Sequence, residues 1–242
     1  MVMRKNIAAM DFGAGEVLLF DKPKGWTSFD VVGKIRNTIK IKKVGHAGTL
    51  DPLATGLLIL CTGKKTKDIQ GIQDASKTYV TTFRLGATTA SYDAEQPPEN
   101  FRDCGHVTEN DILAAMEFFK GEIQQVPPIF SAVKVDGKRA YKAARAGQEI
   151  ELKARTVHIH AFELLSFQTP DLVEVKIHCG KGTYIRSLVH DLGQKLGVGA
   201  YILELRRTAT GAFSVDDAWD VAEFCKQVKE HQSAEKPSGQ PD

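Results

Sequence analysis

A glycine-punctuated loop runs directly into a continuous apolar segment near residue 50 of this 242-residue chain. The loop reads GHAGTLDPLATG (45–56), and the apolar segment that follows reads LLILC (57–61). A short apolar run next to turn-forming residues is typical of a strand that is buried on both faces. We therefore expect a sheet in the core of the protein, with this loop fixed at one end of a rigid strand.

Alternating and helical patterns continue along the rest of the chain. Strands are predicted at 17–20, 78–86, 157–164, 173–179 and 201–207. Helices are predicted after an N-cap at Thr27 or Ser28, over 109–121, after an N-cap at Thr183, and after an N-cap at Ser214. Strands and helices that mix without strict βαβ alternation indicate an α+β fold. The sheet should be central, mixed and mainly antiparallel, with helices and loops on its flanks.

Three segments are expected outside this regular core. The acidic stretch TTASYDAEQPPENF (88–101) predicts a turn-rich surface excursion. Residues 124–150 combine two prolines with many cations, which predicts a mobile, partly helical excursion. Residues 230–242 are polar and contain proline, which predicts a disordered tail. The folded domain should therefore span residues 15–229.

Charge is unevenly distributed, although the net charge of the chain is only +2. Residues 21–50 carry seven cations and two acids, and residues 131–160 carry seven cations and three acids. Acids outnumber cations in residues 91–117 and 216–242. This segregation either offers one cationic face to a polyanion or forms ordinary solvated faces.

Several classes of protein and site are disfavoured. No segment approaches the ~18 apolar residues of a membrane helix, and the first residues lack the apolar stretch of a signal peptide, so we expect a cytoplasmic protein. The four cysteines form no CxxC pair and are interpreted as small buried hydrophobic residues. His158 and His160 share a face of a predicted strand, but no third ligand lies near them in sequence, so no metal site is predicted.

The glycine-punctuated loop carries a single carboxylate, Asp51. Glycines allow the backbone to approach a bulky ligand, and Pro52 disfavours a helical conformation at Asp51. Asp51 is therefore a candidate catalytic carboxylate. A turn-forming or helix-capping aspartate is the alternative, and it is the more common one for a lone carboxylate in a loop.

The string GHAGTLDPLATGLL (45–58) resembles the signature of the TruB family, synthases that make pseudouridine in the T-loop of tRNA. Five further blocks resemble this family: DKPKGWTS (21–28), KTYV (77–80), PPIFSAVKVDGKRAYKAARAG (127–147), KGTYIRSLVHDLG (181–193) and LRRTATGAF (205–213). The resemblance implies the pseudouridine synthase fold and isomerisation of uridine 55 by base flipping. It also implies that the reaction needs no cofactor or metal.

By this resemblance Asp51 is the nucleophile and Arg186 is the cation that pairs with it. An arginine in the first turn of a helix is opposed by the helix dipole by ~0.3–1 kcal/mol, and a nearby anion would offset that cost. An exposed arginine that reaches solvent or phosphate is the alternative.

Further substrate contacts are implied by the same motifs. Tyr79 would stack on the target base, Tyr184 would line the pocket, and Leu205 would form its wall, whereas core packing is the alternative for each. His46 would enter the T-loop and replace the displaced base. Three cations would contact phosphates, or be surface residues with no such role: Lys22, Lys64 and Arg145.

The implied partner is the T-stem and loop of tRNA, bound by a monomer without a protein partner, with RNA contacts from residues 124–150. An additional tRNA-folding activity is compatible with the same surface. Many family members carry a C-terminal PUA domain, which we do not find after Phe213. The alternatives are a non-catalytic RNA-folding protein, a glycosylase, which lacks its paired carboxylates here, and a guide-dependent synthase.

Overall fold

The computed structural model describes residues 6–130, 134–135, 138–139 and 152–234. The chain divides into two compact units. The first unit comprises Met1–Ala75 with Arg206–Asp242, and the second comprises Ser76–Leu205. The predicted single span of 15–229 is thus built from two units, and its role as one catalytic domain stays a prediction.

The elements of the described residues follow the predicted order. The strands are β1 (Val17–Lys22), β2 (Val44–His46), β3 (Thr55–Thr62), β4 (Lys77–Leu85), β5 (Gly121–Gln125), β6 (Lys134–Val135), β7 (Lys138–Arg139), β8 (Arg155–Gln168), β9 (Leu172–Cys179), β10 (Ala200–Thr210), β11 (Phe213–Ser214) and β12 (Trp219–Asp220). The α-helices are α1 (Ser28–Ile39), α2 (Ile69–Asp74), α3 (Glu109–Phe118), α4 (Ile185–Lys195) and α5 (Val221–Ala234). Short 3-10 helices lie at Ile7–Ala9, Gly63–Asp68 and Val215–Asp217.

Strand β3 is the centre of the first unit. It pairs with β1 antiparallel along one edge, and with β2 antiparallel and the end of β10 parallel along the other. β12 extends the sheet by pairing parallel with β1. Residues 57–61 have no exposed surface, so the prediction of a strand buried on both faces is confirmed. Five buried residues form one core cluster: Leu19, Ala47, Leu57, Ile59 and Ala218.

The second unit contains a sheet with the strand order β10, β4, β9, β8, β5. The pairs of β4 with β9, β9 with β8 and β8 with β5 are all antiparallel. Helix α3 contacts both β8 and α4. The expected α+β class, with a mixed and mainly antiparallel sheet, is therefore confirmed.

Two helices begin where the sequence predicts, and two do not use the N-cap residue that the sequence predicts. Thr27 and Thr108 each form a capping box at α1 and α3. Thr183 does not cap α4, because its hydroxyl donates to the Gly180 carbonyl. Ser214 caps the 3-10 helix that follows it, while the side chain of Asp220 accepts from the first backbone N–H groups of α5.

The described parts of the three segments predicted to lie outside the core differ from the prediction. Ser91 and Asp93, within the supposed surface excursion, are buried. Gln124 and Gln125 end strand β5, and only parts of the remaining 124–150 segment are described, including the antiparallel pair β6 and β7. Helix α5 continues to Ala234, past the predicted start of the tail at residue 230. In this added part of the helix, the Gln232 side chain donates to the Thr38 carbonyl of α1. Residues 235–242 lie outside the described residues.

All four cysteines are buried and unpaired, as their spacing predicts. Among the residues that the structure describes, no helix has the length and apolar character needed to cross a membrane.

Gly33 in α1 and Gly193 in α4 give a matched stability test. A Cβ on Gly193 would lie 2.2 Å from the Ala200 nitrogen, whereas a Cβ on Gly33 would meet nothing within 4 Å. We expect Gly193→Ala to destabilise the protein by at least ~1–3 kcal/mol, because backbone must move, and Gly33→Ala to stabilise it by ~0.5–1 kcal/mol. Denaturant unfolding measures both, and equal effects would contradict the close packing of α4 on β10.

Candidate active site

Asp51 lies in the loop between β2 and β3, where it is partly exposed. Its carbonyl accepts a hydrogen bond from the Ala54 nitrogen at 3.1 Å, which closes a turn just before β3. The turn leads into a fully buried strand, so the base of the loop is rigid. The sequence predicted this placement correctly.

A buried lysine holds the peptide that follows this carboxylate. Lys22 has no exposed surface, and its Nζ donates to the carbonyls of Trp26 at 2.6 Å, Pro23 at 3.0 Å and Pro52 at 3.4 Å. The Gly25 nitrogen also donates to the Pro52 carbonyl, at 2.8 Å. The prediction of a phosphate contact at Lys22 is wrong, because a fully buried ammonium cannot reach an RNA backbone. Lys22 instead anchors the candidate catalytic loop.

Two more buried side chains hold the loop on the other side of its carboxylate. The Ser28 hydroxyl donates to the Leu50 carbonyl at 3.1 Å and accepts from the Leu50 nitrogen at 2.9 Å. Arg207, at 1% exposure, donates from Nε to the Leu57 carbonyl and from Nη2 to the Gly48 carbonyl. Together with Lys22, which binds the Pro52 carbonyl, these side chains hold the carbonyls of Gly48, Leu50 and Pro52.

Gly56 allows Arg207 to hold the loop in this way. The sequence suggested that the loop glycines make room for a ligand, but Gly56 makes room for protein backbone. It has a φ of +98°, and a Cβ there would lie 2.2 Å from the Arg207 carbonyl oxygen. The absence of a side chain at Gly56 therefore leaves room for the backbone of β10 rather than for a ligand. Arg207 can pair with Gly56 in register only because the glycine has no side chain.

His46 ends β2 and is half-buried rather than exposed in a loop. Its ring meets the edge of Phe29, with centroids 5.2 Å apart and planes at 87°. Burial lowers the pKa of His46, and the positive charge of Arg207 lowers it further. The imidazole is therefore neutral at pH 7 and suited to stacking.

The other two predicted phosphate contacts have different outcomes. Lys64 is exposed in the 3-10 helix Gly63–Asp68, and its contact with RNA stays a prediction. Arg145 lies outside the described residues.

In the second unit, Arg186 occupies the first turn of α4 and is 4% exposed. Nη1 donates to the Ser91 carbonyl and Nη2 to the Phe130 carbonyl, both at 2.9 Å. Nη1 also lies 3.5 Å from Oδ2 of Asp93, which is 1% exposed. A buried anion, Asp93, therefore lies beside this arginine, although the sequence had placed Asp93 in a surface excursion. The pairing of Arg186 with Asp51 stays a prediction.

Asp93 is itself held in place. Its Oδ1 accepts from the Ser91 hydroxyl at 2.6 Å and from the Glu95 nitrogen at 3.1 Å. Tyr92 has a φ of +64° and stacks on His190 of α4, with centroids 3.9 Å apart. Burial lowers the pKa of His190, so this ring is neutral at pH 7. The stack and the hydrogen bonds together fix residues 91–93 against α4.

The residues predicted to form the substrate pocket also lie in the second unit. Tyr79 and Leu205 are almost fully buried, and Tyr79 pairs in register with Ile177. Tyr184 precedes α4, and the guanidinium carbon of Arg155 lies 4.5 Å from the centre of its ring. The buried Gln125 side chain exchanges two hydrogen bonds with the backbone of Tyr184. Gln125 and Arg155 thus position Tyr184, and neither is evident from a local sequence pattern.

The two histidines considered for a metal site, His158 and His160, lie in a row with His178. His160 lies between His158 and His178, with ring centroids 4.5 and 4.7 Å apart. Within the described ranges, no group of three or more histidine, cysteine or acidic side chains is arranged to hold a metal ion. The expectation that the reaction needs no metal stays a prediction.

Two protein-family models together match most of the chain. A family model described as TruB family pseudouridylate synthase (N terminal domain) matches residues 36–185, more than half of the chain. The chain belongs to the TruB family. A second model, tRNA pseudouridylate synthase B C-terminal domain, matches residues 186–238. The segment after Phe213 is therefore part of a TruB domain, and neither match is to a PUA domain.

Two curated TruB relatives align along nearly their whole length. The tRNA pseudouridine synthase B of Bacteroides thetaiotaomicron is 50% identical over 224 residues, covering 89% of this chain and 93% of the relative. The protein of the same name from Chloroherpeton thalassium is 46% identical over 233 residues, covering 94% of this chain and 95% of the relative.

Solved structures confirm the pseudouridine synthase fold. A chain in a Cbf5-Nop10-Gar1 complex matches with a TM-score of 0.69 and 34% identity, covering 89% of this chain and 54% of that chain. A chain in an H/ACA RNP bound to a substrate RNA containing 2'-deoxyuridine matches with a TM-score of 0.70 and 29% identity, covering 94% of this chain and 57% of that chain. This TruB chain thus spans about half the length of those two chains.

The substitution Arg186→Lys tests whether the geometry of the Arg186 guanidinium matters in addition to its positive charge. A lysine keeps the charge but cannot donate in a fork to two carbonyls, so we expect the single-turnover rate of isomerisation to fall about 10- to 100-fold. Arg84→Lys is the control, because Arg84 forms a half-exposed ion pair with Asp171. A wild-type rate for Arg186→Lys would show that the fork is dispensable.

Proposed function

We propose that this chain converts uridine 55 in the T-loop of tRNA to pseudouridine, with Asp51 as the nucleophile. The observation that carries the proposal is the position of Asp51 on a loop whose neighbouring peptides are held by Lys22, Ser28 and Arg207. Membership of the TruB family and relatives named tRNA pseudouridine synthase B support the reaction and the substrate.

The reaction is an isomerisation, so its atoms balance without a second substrate. The bond from uracil N1 to ribose C1′ breaks, a bond from C1′ to C5 forms, the C5 proton leaves, and N1 gains a proton. Asp51 acts as a carboxylate that attacks either the sugar or the base. A rigid loop suits this role, because a positioned nucleophile avoids the entropy cost of being ordered during the reaction.

The target base must leave the helical stack to reach Asp51. We assign Tyr79 to stacking on the extruded base, Tyr184 and Leu205 to the pocket wall, and His46 to the place that the base leaves. The lowered pKa of His46 supports this last assignment, since an uncharged ring stacks among bases without bringing a positive charge into the stack. Arg186 is assigned to pairing with Asp51, and Lys64 and Arg145 to phosphates.

The proposed partner is the T-stem and loop, bound by a cytoplasmic monomer without a protein partner, with residues 124–150 contributing RNA contacts. An additional tRNA-folding activity would use the same RNA surface. Dependence on protein partners is the competing possibility, because the related Cbf5 chain was solved in a complex with Nop10 and Gar1.

Tritium release from tRNA transcripts labelled at uridine C5 tests the proposal. The purified protein alone should release about one label per tRNA, and a transcript with cytidine at position 55 should release none. Asp51→Asn should bind tRNA with similar affinity but release none, because the amide is a poor nucleophile. Binding without release by the wild type would overturn the stand-alone activity. Release of free uracil would instead indicate a glycosylase.

A further inference from the structure

An open groove of about 600 Å³ lies along the start of α1 in the first unit. It is lined by Gly25, Trp26, Phe29, Asp30, Gly33, Lys34 and Asn37. Its volume lies within the range of small-ligand sites. The predicted catalytic chemistry uses none of these residues.

Phe29 is the distinctive residue of this groove. Its side chain is 63% exposed, while the buried residues of α1 include Val31, Val32 and Ile35. The ring therefore contributes little to the core. Its one described ring contact is with His46, the residue proposed to enter the T-loop. An exposed aromatic ring at this position offers a stacking surface next to the RNA contact.

The charges around the groove favour a polyanion. Lys34 lines it, and Lys24, Arg36 and Lys40 are exposed on the same segment of chain. Asp30 is the acid among the lining residues. Its carboxylate accepts hydrogen bonds from the Thr27 nitrogen and hydroxyl, which lower the pKa of Asp30 and keep its charge engaged at the helix start.

We propose that this groove binds a second nucleobase of the tRNA, distinct from the target uridine, by stacking on Phe29. The inference rests on the proposed function, because it takes tRNA as the ligand. A base has both a flat face for the ring and polar edges for groups such as the Asn37 amide, while Lys34 can contact the adjoining phosphate. An apolar protein segment would use the ring but not the surrounding cations.

Variants at Phe29 separate stacking from simple apolar contact. We expect Phe29→Ala and Phe29→Leu to weaken tRNA binding about 5- to 100-fold, and Phe29→Trp to restore it, because only aromatic rings stack on bases. Phe101→Ala removes another exposed phenylalanine, at 74% exposure, and serves as the control. Thermal melting should not distinguish these proteins from the wild type.

A double-mutant cycle with His46 tests whether Phe29 itself contacts RNA. In a His46→Ala background, Phe29→Ala should still weaken binding, since the base stacks on Phe29 directly. Loss of the effect in that background would show that Phe29 acts only by supporting His46, and would overturn the proposal. Unchanged binding by Phe29→Ala, or wild-type binding by Phe29→Leu, would do the same.

Binding measured in an Asp51→Asn background keeps this test separate from the catalytic proposal. If the wild-type protein binds tRNA but forms no pseudouridine, the proposed function fails while the Phe29 prediction can still hold. Lys34→Gln should also reduce the salt dependence of binding by about one ion, as expected for one phosphate contact. An unchanged salt dependence would contradict the placement of the phosphate at Lys34.

Discussion

Two buried cations and one buried hydroxyl fix the loop that carries Asp51. Lys22 and Arg207 have almost no exposed surface, and each donates to loop carbonyls, while the Ser28 hydroxyl donates to the Leu50 carbonyl and accepts from the Leu50 nitrogen. A buried charge without partners is strongly unfavourable, so these contacts resist opening. The backbone on both sides of Asp51 is therefore held before any substrate binds, which suits the nucleophilic role proposed for Asp51.

In the second unit, a buried cation likewise binds backbone carbonyls. Arg186 is buried, donates to two backbone carbonyls and lies beside a buried Asp93. Asp93 is fixed in turn by Ser91, and Tyr92 stacks on the same helix that carries Arg186. Buried cations thus order irregular backbone in both units, where helix and strand hydrogen bonds are not available to do so.

The sequence predicted the elements that depend on local patterns and missed the contacts between distant residues. Alternation and helical spacing located the buried strand β3 and helices α1 and α3, and the motifs located Asp51. Lys22 was misassigned because its complete burial is not evident from the sequence, and one of its three carbonyl partners, Pro52, lies thirty residues away. Thr183 was misassigned because its hydroxyl donates to the Gly180 carbonyl, while the backbone of Tyr184 at the start of α4 is bound by Gln125, fifty-nine residues before Tyr184. Asp93 looked like a surface acid because its partner Arg186 lies far along the chain.

The most direct test of a preorganised Asp51 loop is the single-turnover rate of Ser28→Ala at saturating tRNA, measured beside its dissociation constant. Ser28 is 1% exposed and cannot contact RNA, so we predict a rate at least about 10-fold lower with binding within about two-fold of the wild type. Thr38→Val removes a buried hydroxyl elsewhere on α1 and should leave the rate unchanged. A wild-type rate in Ser28→Ala, or weaker binding alone, would contradict the account.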